Sequence, residues 1–166
     1  MITRQLVQGE AAQFHALWVE GLRQFPAAFL LTEQEATSTS LEHIEQGIEA
    51  GHHWGVWRGE RLIALASMRR SGLERLRHTA DIGPFYVCAK QQGQGTAKHL
   101  LQTMLTHART QGLLQVELSV DAKNTKARKL YEAAGFVCFG NRPRSVIIDS
   151  IARDDHLMIC MLDRDS

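Results

Sequence analysis

Gly93 and Gly95 stand in the run Gln92-Gly93-Gln94-Gly95-Thr96-Ala97, directly ahead of an apolar helical pattern. Glycine lets a chain turn tightly and bring its backbone close to a ligand. The first amides of the following helix have no intrahelical acceptor and sit at the positive end of its dipole. A strand pattern over Ala80 to Cys88 precedes the turn. Strand, glycine turn and helix start together predict an anion site, most naturally for phosphate.

Two familiar phosphate signatures do not fit. A Walker loop needs a Gly before its Lys and a Ser or Thr after it, whereas Lys98 follows Ala97 and precedes His99. A dinucleotide fingerprint needs Gly or Ala where Lys98 stands, and Glu117 and Asp121 only weakly imitate its ribose-binding acid. What remains is Gln-x-x-Gly-x-Ala at Gln92, Gly95 and Ala97. A second segment, NTKARKLYEAAGF, begins at Asn124.

The first pattern resembles the pyrophosphate loop of the GNAT acetyltransferase superfamily, written Gln/Arg-x-x-Gly-x-Gly/Ala. The second is similar to that family's Asn-x-x-Ala-x-x-Leu-Tyr-x-x-x-Gly-Phe segment at Asn124, Ala127, Leu130, Tyr131, Gly135 and Phe136. The resemblance runs from Thr79 to Leu162, about half the chain. The N-terminal half matches only in general pattern.

The resemblance implies acetyl-CoA as co-substrate. The amides of Gln92, Gly93, Gln94, Gly95, Thr96 and Ala97 would cradle its diphosphate. Gln92 and Gln94 are uncharged, so that grip would rest on the main chain. Phe85, Tyr86 and Val87 would flank the pantetheine arm through backbone groups; as plain strand residues their side chains would simply be buried. Asn124 would cap its helix and also touch the cofactor, and Ala127 is small enough to pack beside it. Tyr131 would be the general acid for the departing thiolate; its ordinary alternative is a core tyrosine. Asp81 stands where some relatives carry a catalytic Glu and would be the base, or else a solvated strand end. Glu33 and Glu35 lie where relatives build the acceptor pocket, and acids there would attract a cationic amine; otherwise they belong to a surface loop.

The implied function is an N-acetyltransferase that moves acetyl from acetyl-CoA to a primary amine by direct transfer in a ternary complex. No Cys or Ser stands out as an activated nucleophile. The alternative is a non-catalytic acyl-CoA binding or sensing module, which would share the cofactor motifs. The acceptor would be a small-molecule or peptide amine, and the resemblance admits a homodimer.

Composition bounds the remaining classes. The 166 residues are 44% apolar and 22% charged, which suits one soluble globular domain over residues 1–166. A formal net charge of +1 argues against a nucleic-acid partner. No apolar run approaches the roughly 20 residues needed to span a bilayer. The start of the chain lacks the apolar core of a signal peptide. Cys88, Cys138 and Cys160 are odd in number and lie in apolar segments, predicting reduced thiols packed as small hydrophobes in a cytoplasmic setting. His52-His53 has no third ligand at helical spacing, so no metal is expected. A turn is expected there, and another at His156.

Elements that must position these groups follow from periodicity. A first helix is expected from Gly9 to Phe25, burying Ala12, Leu17, Leu22 and Phe25, with Pro26 ending it. The stretch from Ala27 to Ser40 reads as irregular. Ser40 caps a helix carrying Leu41, Ile44 and Ile48, and Gly51 stops it. Trp54 to Arg58 and Arg61 to Arg69 read as strands about a Gly59-Glu60 turn, with Thr79 to Cys88 as their partner. Pro84 places an edge or a bulge in that third strand. Ala97, Leu100, Leu101, Met104, Leu105 and Ala108 form one apolar helix face ending at Gly112. Val116, Leu118 and Val120 alternate as a strand, Asn124 caps a helix to Ala134, and Gly135 stops it. Val137 to Gly140, Ser145 to Ile151 and Leu157 to Leu162 read as closing strands. The fold class is mixed α/β. The resemblance makes its sheet largely antiparallel, splayed at its centre where acyl-CoA would lie, and flanked by helices.

Overall fold

The structure, a computed structural model, describes residues 1–164. Strand β1 spans Ile2–Gln5 and is followed by helices α1 (Ala11–Gln24), α2 (Glu33–Thr37) and α3 (Leu41–Glu49). Next come β2 (His53–Arg58), β3 (Arg61–Arg70), β4 (Thr79–Val87) and helix α4 (Thr96–Thr110). Strand β5 (Gln115–Asp121), helix α5 (Thr125–Ala133) and strands β6 (Val137–Ile148) and β7 (Ile151–Met161) complete the order. The strands form one seven-stranded sheet ordered β1-β2-β3-β4-β5-β7-β6.

Most of the pairing is antiparallel: β2 with β1 and β3, and β7 with β5 and β6. Cys88 N–H donates to Ile63 O (2.9 Å) and Ser71 N–H to Thr79 O (3.4 Å), which runs β3 and β4 in opposite directions as well. Strands β4 and β5 are parallel, with Thr79, Ala80 and Asp81 opposite Gln115, Val116 and Glu117. This is a mixed α/β fold on a mostly antiparallel open sheet flanked by helices.

The chain divides into two compact units, Met1–Met68 with Gly83–Met104, and Arg69–Ile82 with the chain from Leu105 onward. In the first, α1 buries Ala11, Phe14, Leu17 and Leu22. Ala12, expected inside, is exposed, and Phe25 is 45% exposed because it lies one residue past the helix, ahead of Pro26. Strand β3 buries Leu62 through Met68 without a break, as a central strand covered on both faces should. Helix α4 contributes Leu100, Leu101 and Met104, each fully buried and each stabilising the fold by about 1.5–3 kcal/mol. Arg4 pairs with Glu10 through two bonds (2.7 and 2.9 Å) and lies 5.0 Å from the Trp57 ring centre.

In the second unit, Val116, Leu118 and Val120 of β5 are buried together with Phe136 and Met158. Asp121 accepts from Arg153 Nε and from Lys123 N–H (2.8 Å). The two-residue turn Asp149-Ser150 joins β6 to β7, with φ of 50° and 64°. Such paired left-handed residues match the twist of a hairpin.

Several expectations need correction. Strand β1 is an element the sequence did not announce, four residues long. The expected irregular stretch holds α2, started by a Thr32/Glu35 capping box. The three closing strands are two long ones: the expected strand from Ser145 to Ile151 is the end of β6, the Asp149-Ser150 turn and the first residue of β7. His156 is a β7 residue opposite Val120 and Asn141, not a turn residue. His53 opens β2, is buried, and lies 2.7 Å by Nδ1 from Ser67 Oγ, so it is a core histidine. Strand β4 pairs with β5 only over Thr79, Ala80 and Asp81, so Pro84 lies past that ladder, where no bond from its nitrogen is needed; the Gly83–Pro84 bond is cis. All three thiols are free, but Cys138 is exposed rather than packed.

Candidate active site

In the first unit the chain leaves β4 through a tight turn. Gln91 N–H donates to Cys88 O (2.9 Å) and Gln92 N–H to Ala89 O (3.3 Å). The glutamine side chains fasten the turn to what precedes it: Gln92 Nε2 donates to Val87 O (2.9 Å) and Gln94 Nε2 to Lys90 O (3.0 Å). Gly93 and Gly95 hold φ of 74° and 80°, a region that penalises any side chain. Among the described residues, apart from each glycine's own chain neighbours, no atom lies within 4 Å of where a Cβ would stand on either.

The first bond of α4 runs from His99 N–H to Gly95 O (3.0 Å), so the amides of Thr96, Ala97 and Lys98 precede any intrahelical acceptor. Thr96 is buried, and its Oγ1 has no hydrogen-bond partner among the described residues. Open space over two glycines, a row of amides and an orphaned hydroxyl fit a diphosphate.

Phe85, Tyr86 and Val87 close β4. Phe85 is half-buried, whereas Tyr86 and Val87 are buried. The Tyr86 ring turns to α1, where its hydroxyl lies 2.9 Å from Gln24 Oε1 and 3.1 Å from Glu20 Oε1 and shares its one proton between them. Burial first, then the Glu20 charge, pushes that phenol far above its ordinary pKa. It is therefore a hydrogen-bond donor at any working pH. Sequence reasoning passed over Glu20 and Gln24. Their spacing of four residues puts them on one helix face, a signal too common to single them out.

Glu33 and Glu35 are exposed on α2. Glu33 pairs with Arg23 Nε at 2.5 Å. Glu35 accepts from Thr32 N–H (2.8 Å) and Thr32 Oγ1 (3.0 Å), and those bonds hold its carboxyl below the usual range.

The second unit carries Asp81, Asn124, Ala127 and Tyr131. Asp81 faces solvent beside Glu117; lost hydration first and the Glu117 charge second raise its pKa. Asn124 Oδ1 accepts from Ala127 N–H (3.1 Å), so the helix cap forms as expected, and Ala127 is half-buried. Tyr131 is buried, and its ring meets Phe136 edge-on at 5.7 Å. Burial pushes its phenol up to about 12, so it too stays protonated. Phe136 N–H donates back to Tyr131 O (3.0 Å), which closes the helix end. Among the described residues no three His, Cys, Asp or Glu side chains gather as a metal site, and no helix is long and apolar enough to cross a membrane.

A family model described as acetyltransferase (GNAT) family matches residues 15–136. The uncharacterized N-acetyltransferase YycN of Bacillus subtilis (strain 168) is 32% identical over 111 residues, covering 66% of this chain and 69% of that protein. Among solved structures, yncA of Salmonella typhimurium, a putative acetyltransferase with its cofactor acetyl-CoA, superposes with a TM-score of 0.86 at 17% identity. That match covers 100% of this chain and 96% of the other. The ribosomal-protein-alanine N-acetyltransferase of Brucella melitensis superposes with a TM-score of 0.84 at 19% identity, over 97% and 99% of the two chains.

Proposed function

The chain belongs to the acetyltransferase (GNAT) family, an acyltransferase fold, and from that premise we propose that it transfers acetyl from acetyl-CoA to a primary amine by direct attack in a ternary complex. The observation that carries this reading is the turn over residues 92–97: left-handed Gly93 and Gly95 under open space, followed at once by the α4 amides that precede its first intrahelical bond. In this reading the amides of Gly93, Gln94, Gly95, Thr96 and Ala97 hold the diphosphate, while Gln92, whose N–H goes to Ala89 O and whose side chain goes to Val87 O, braces the turn instead of supplying an amide to it. The main chain of Phe85, Tyr86 and Val87 aligns the pantetheine arm, and the motif residues Asn124 and Ala127 serve the same cofactor.

Acetyl-CoA supplies an activated acyl group as a thioester. The amine enters as ammonium and must lose a proton before its lone pair can form the new C–N bond. Asp81 takes that proton, and its raised pKa suits the task. As the C–S bond breaks, the electron pair goes to sulfur, Tyr131 donates a proton or hydrogen bond to it, and the second proton leaving the new amide nitrogen passes to solvent, from which the phenol is restored. Glu33 and Glu35 bring negative charge to the acceptor side. The acceptor is a small-molecule or peptide amine. The three free thiols favour a reducing, cytoplasm-like compartment.

Calorimetry with coenzyme A, followed by mass spectrometry of a metabolite and peptide extract incubated with acetyl-CoA, tests the assignment. Binding with new N-acetyl products is the expected result. Binding without any product would leave a sensing module in its place, and no heat at millimolar coenzyme A would remove both.

A further inference from the structure

Glu20 brings a charge to a place where the fold does not need one. Tyr86 already has a neutral acceptor in Gln24 at 2.9 Å, yet it also meets Glu20 Oε1 at 3.1 Å. Glu20 is half-buried on α1, and among the described residues its carboxylate has no cationic partner. Arg23, the nearest cation along the helix, is paired with Glu33. The surroundings are aromatic: the Phe25 and Phe29 ring centres lie 6.4 and 6.2 Å from that of Tyr86. Gly21 permits this closeness, since a Cβ there would stand 2.8 Å from both Tyr86 Cγ and Phe29 Cζ. The cluster reaches solvent at Gln24 and Phe25, both exposed.

A carboxylate without a cationic partner, bonded to the hydroxyl of a tyrosine that itself sits among aromatic rings, is the composition of an ammonium site. The geometry points to Glu20 as a specificity-determining residue that holds a second, non-reacting cationic group of the acceptor, with Phe25 against the acceptor's carbon chain. This rests on the acetyltransferase reading above. The reacting nitrogen is a poor fit for Glu20, because pairing with a carboxylate favours the charged amine and withholds the lone pair that must attack. The substrate class is therefore an amine with two positive charges, such as a diamine or a basic peptide.

Putrescine and butylamine, equal in carbon number, test this with the full-length protein and acetyl-CoA. The wild type should favour putrescine in kcat/KM by about tenfold, the joint effect of one ion pair and one aromatic contact. Glu20→Gln keeps an acceptor for the Tyr86 hydroxyl, so it should fold normally. It should erase the preference through KM for putrescine, leaving KM for acetyl-CoA and turnover of butylamine unchanged. An undiminished preference in Glu20→Gln, or a wild type that favours butylamine or uses neither probe, overturns the inference. If the wild type nonetheless acetylates other amines, the transferase reading survives; if no amine at all is consumed, that reading falls too.

Discussion

Asp81 of β4 and Glu117 of β5 are register partners in a parallel ladder, so two carboxylates share one face of the sheet at adjacent positions. Like charges so placed oppose each other's ionisation. With Asp81 as the base, activity falls as pH drops through its raised pKa, because only the ionised form accepts a proton. Replacing Glu117 by Gln removes the smaller of the two causes of that rise. The acid limb of the kcat/KM profile should then move to lower pH while the plateau stays level. An acid limb that does not move would separate Asp81 from catalysis.

Tyr131→Phe should fold as the wild type does, since it keeps the ring that meets Phe136 at 5.7 Å. Turnover should drop by about a hundredfold, the usual scale for losing a positioned acid. KM for acetyl-CoA should change little. With the phenol pushed up to about 12, the wild type should show no basic limb from this residue in the neutral range. Steady-state kinetics on the two proteins settles the assignment, and equal kcat values would end it.

Gly95→Ala tests the turn. Its φ of 80° makes any side chain strained, at a cost of about 1–2 kcal/mol. Among the described residues nothing beyond the chain neighbours meets the new methyl, so the rest of the effect should fall on whatever lies over the turn. Calorimetry should show coenzyme A bound at least tenfold more weakly, beyond the modest loss seen in urea unfolding. Unaltered affinity would place the diphosphate elsewhere.

Asp121 links pH to stability. Burial alone would raise its pKa, but the bonds from Arg153 and Lys123 N–H, with the charges of Arg153 and Lys123, hold it below the usual carboxylate value. A depressed folded-state pKa gives stability that is present above the unfolded value and lost as pH falls through the folded one. The wild type should therefore weaken below about pH 4. Asp121→Asn should cost about 2 kcal/mol at neutral pH, and the gap between the two proteins should close in acid. Urea titrations at pH 7 and pH 3 would show it.

Local signals in the chain were readable where one element alone decides them. The buried positions Leu100, Leu101, Met104, Leu105 and Ala108 follow helix period, and Asn124 and Ser40 cap as their side-chain chemistry requires. The Thr32/Glu35 box was also written in the sequence, but only five helical residues with no apolar stripe follow it. The hairpin tip escaped because Asp149 and Ser150 take left-handed conformations with no glycine to mark them. Around the candidate site, residues 92–97 announced themselves by composition. The Tyr86 bonds to Glu20 and Gln24 did not, since they join residues 66 and 62 positions apart and depend on how α1 packs on β4.

The side-chain amide of Gln92, fastened to Val87 O, has a mechanical consequence. It makes the loop and the end of β4 a single stiff piece, so tension at one is felt at the other. A ligand drawing on the loop would thereby steady the strand end next to it, and Gln92→Ala would slacken that coupling without touching a single charge.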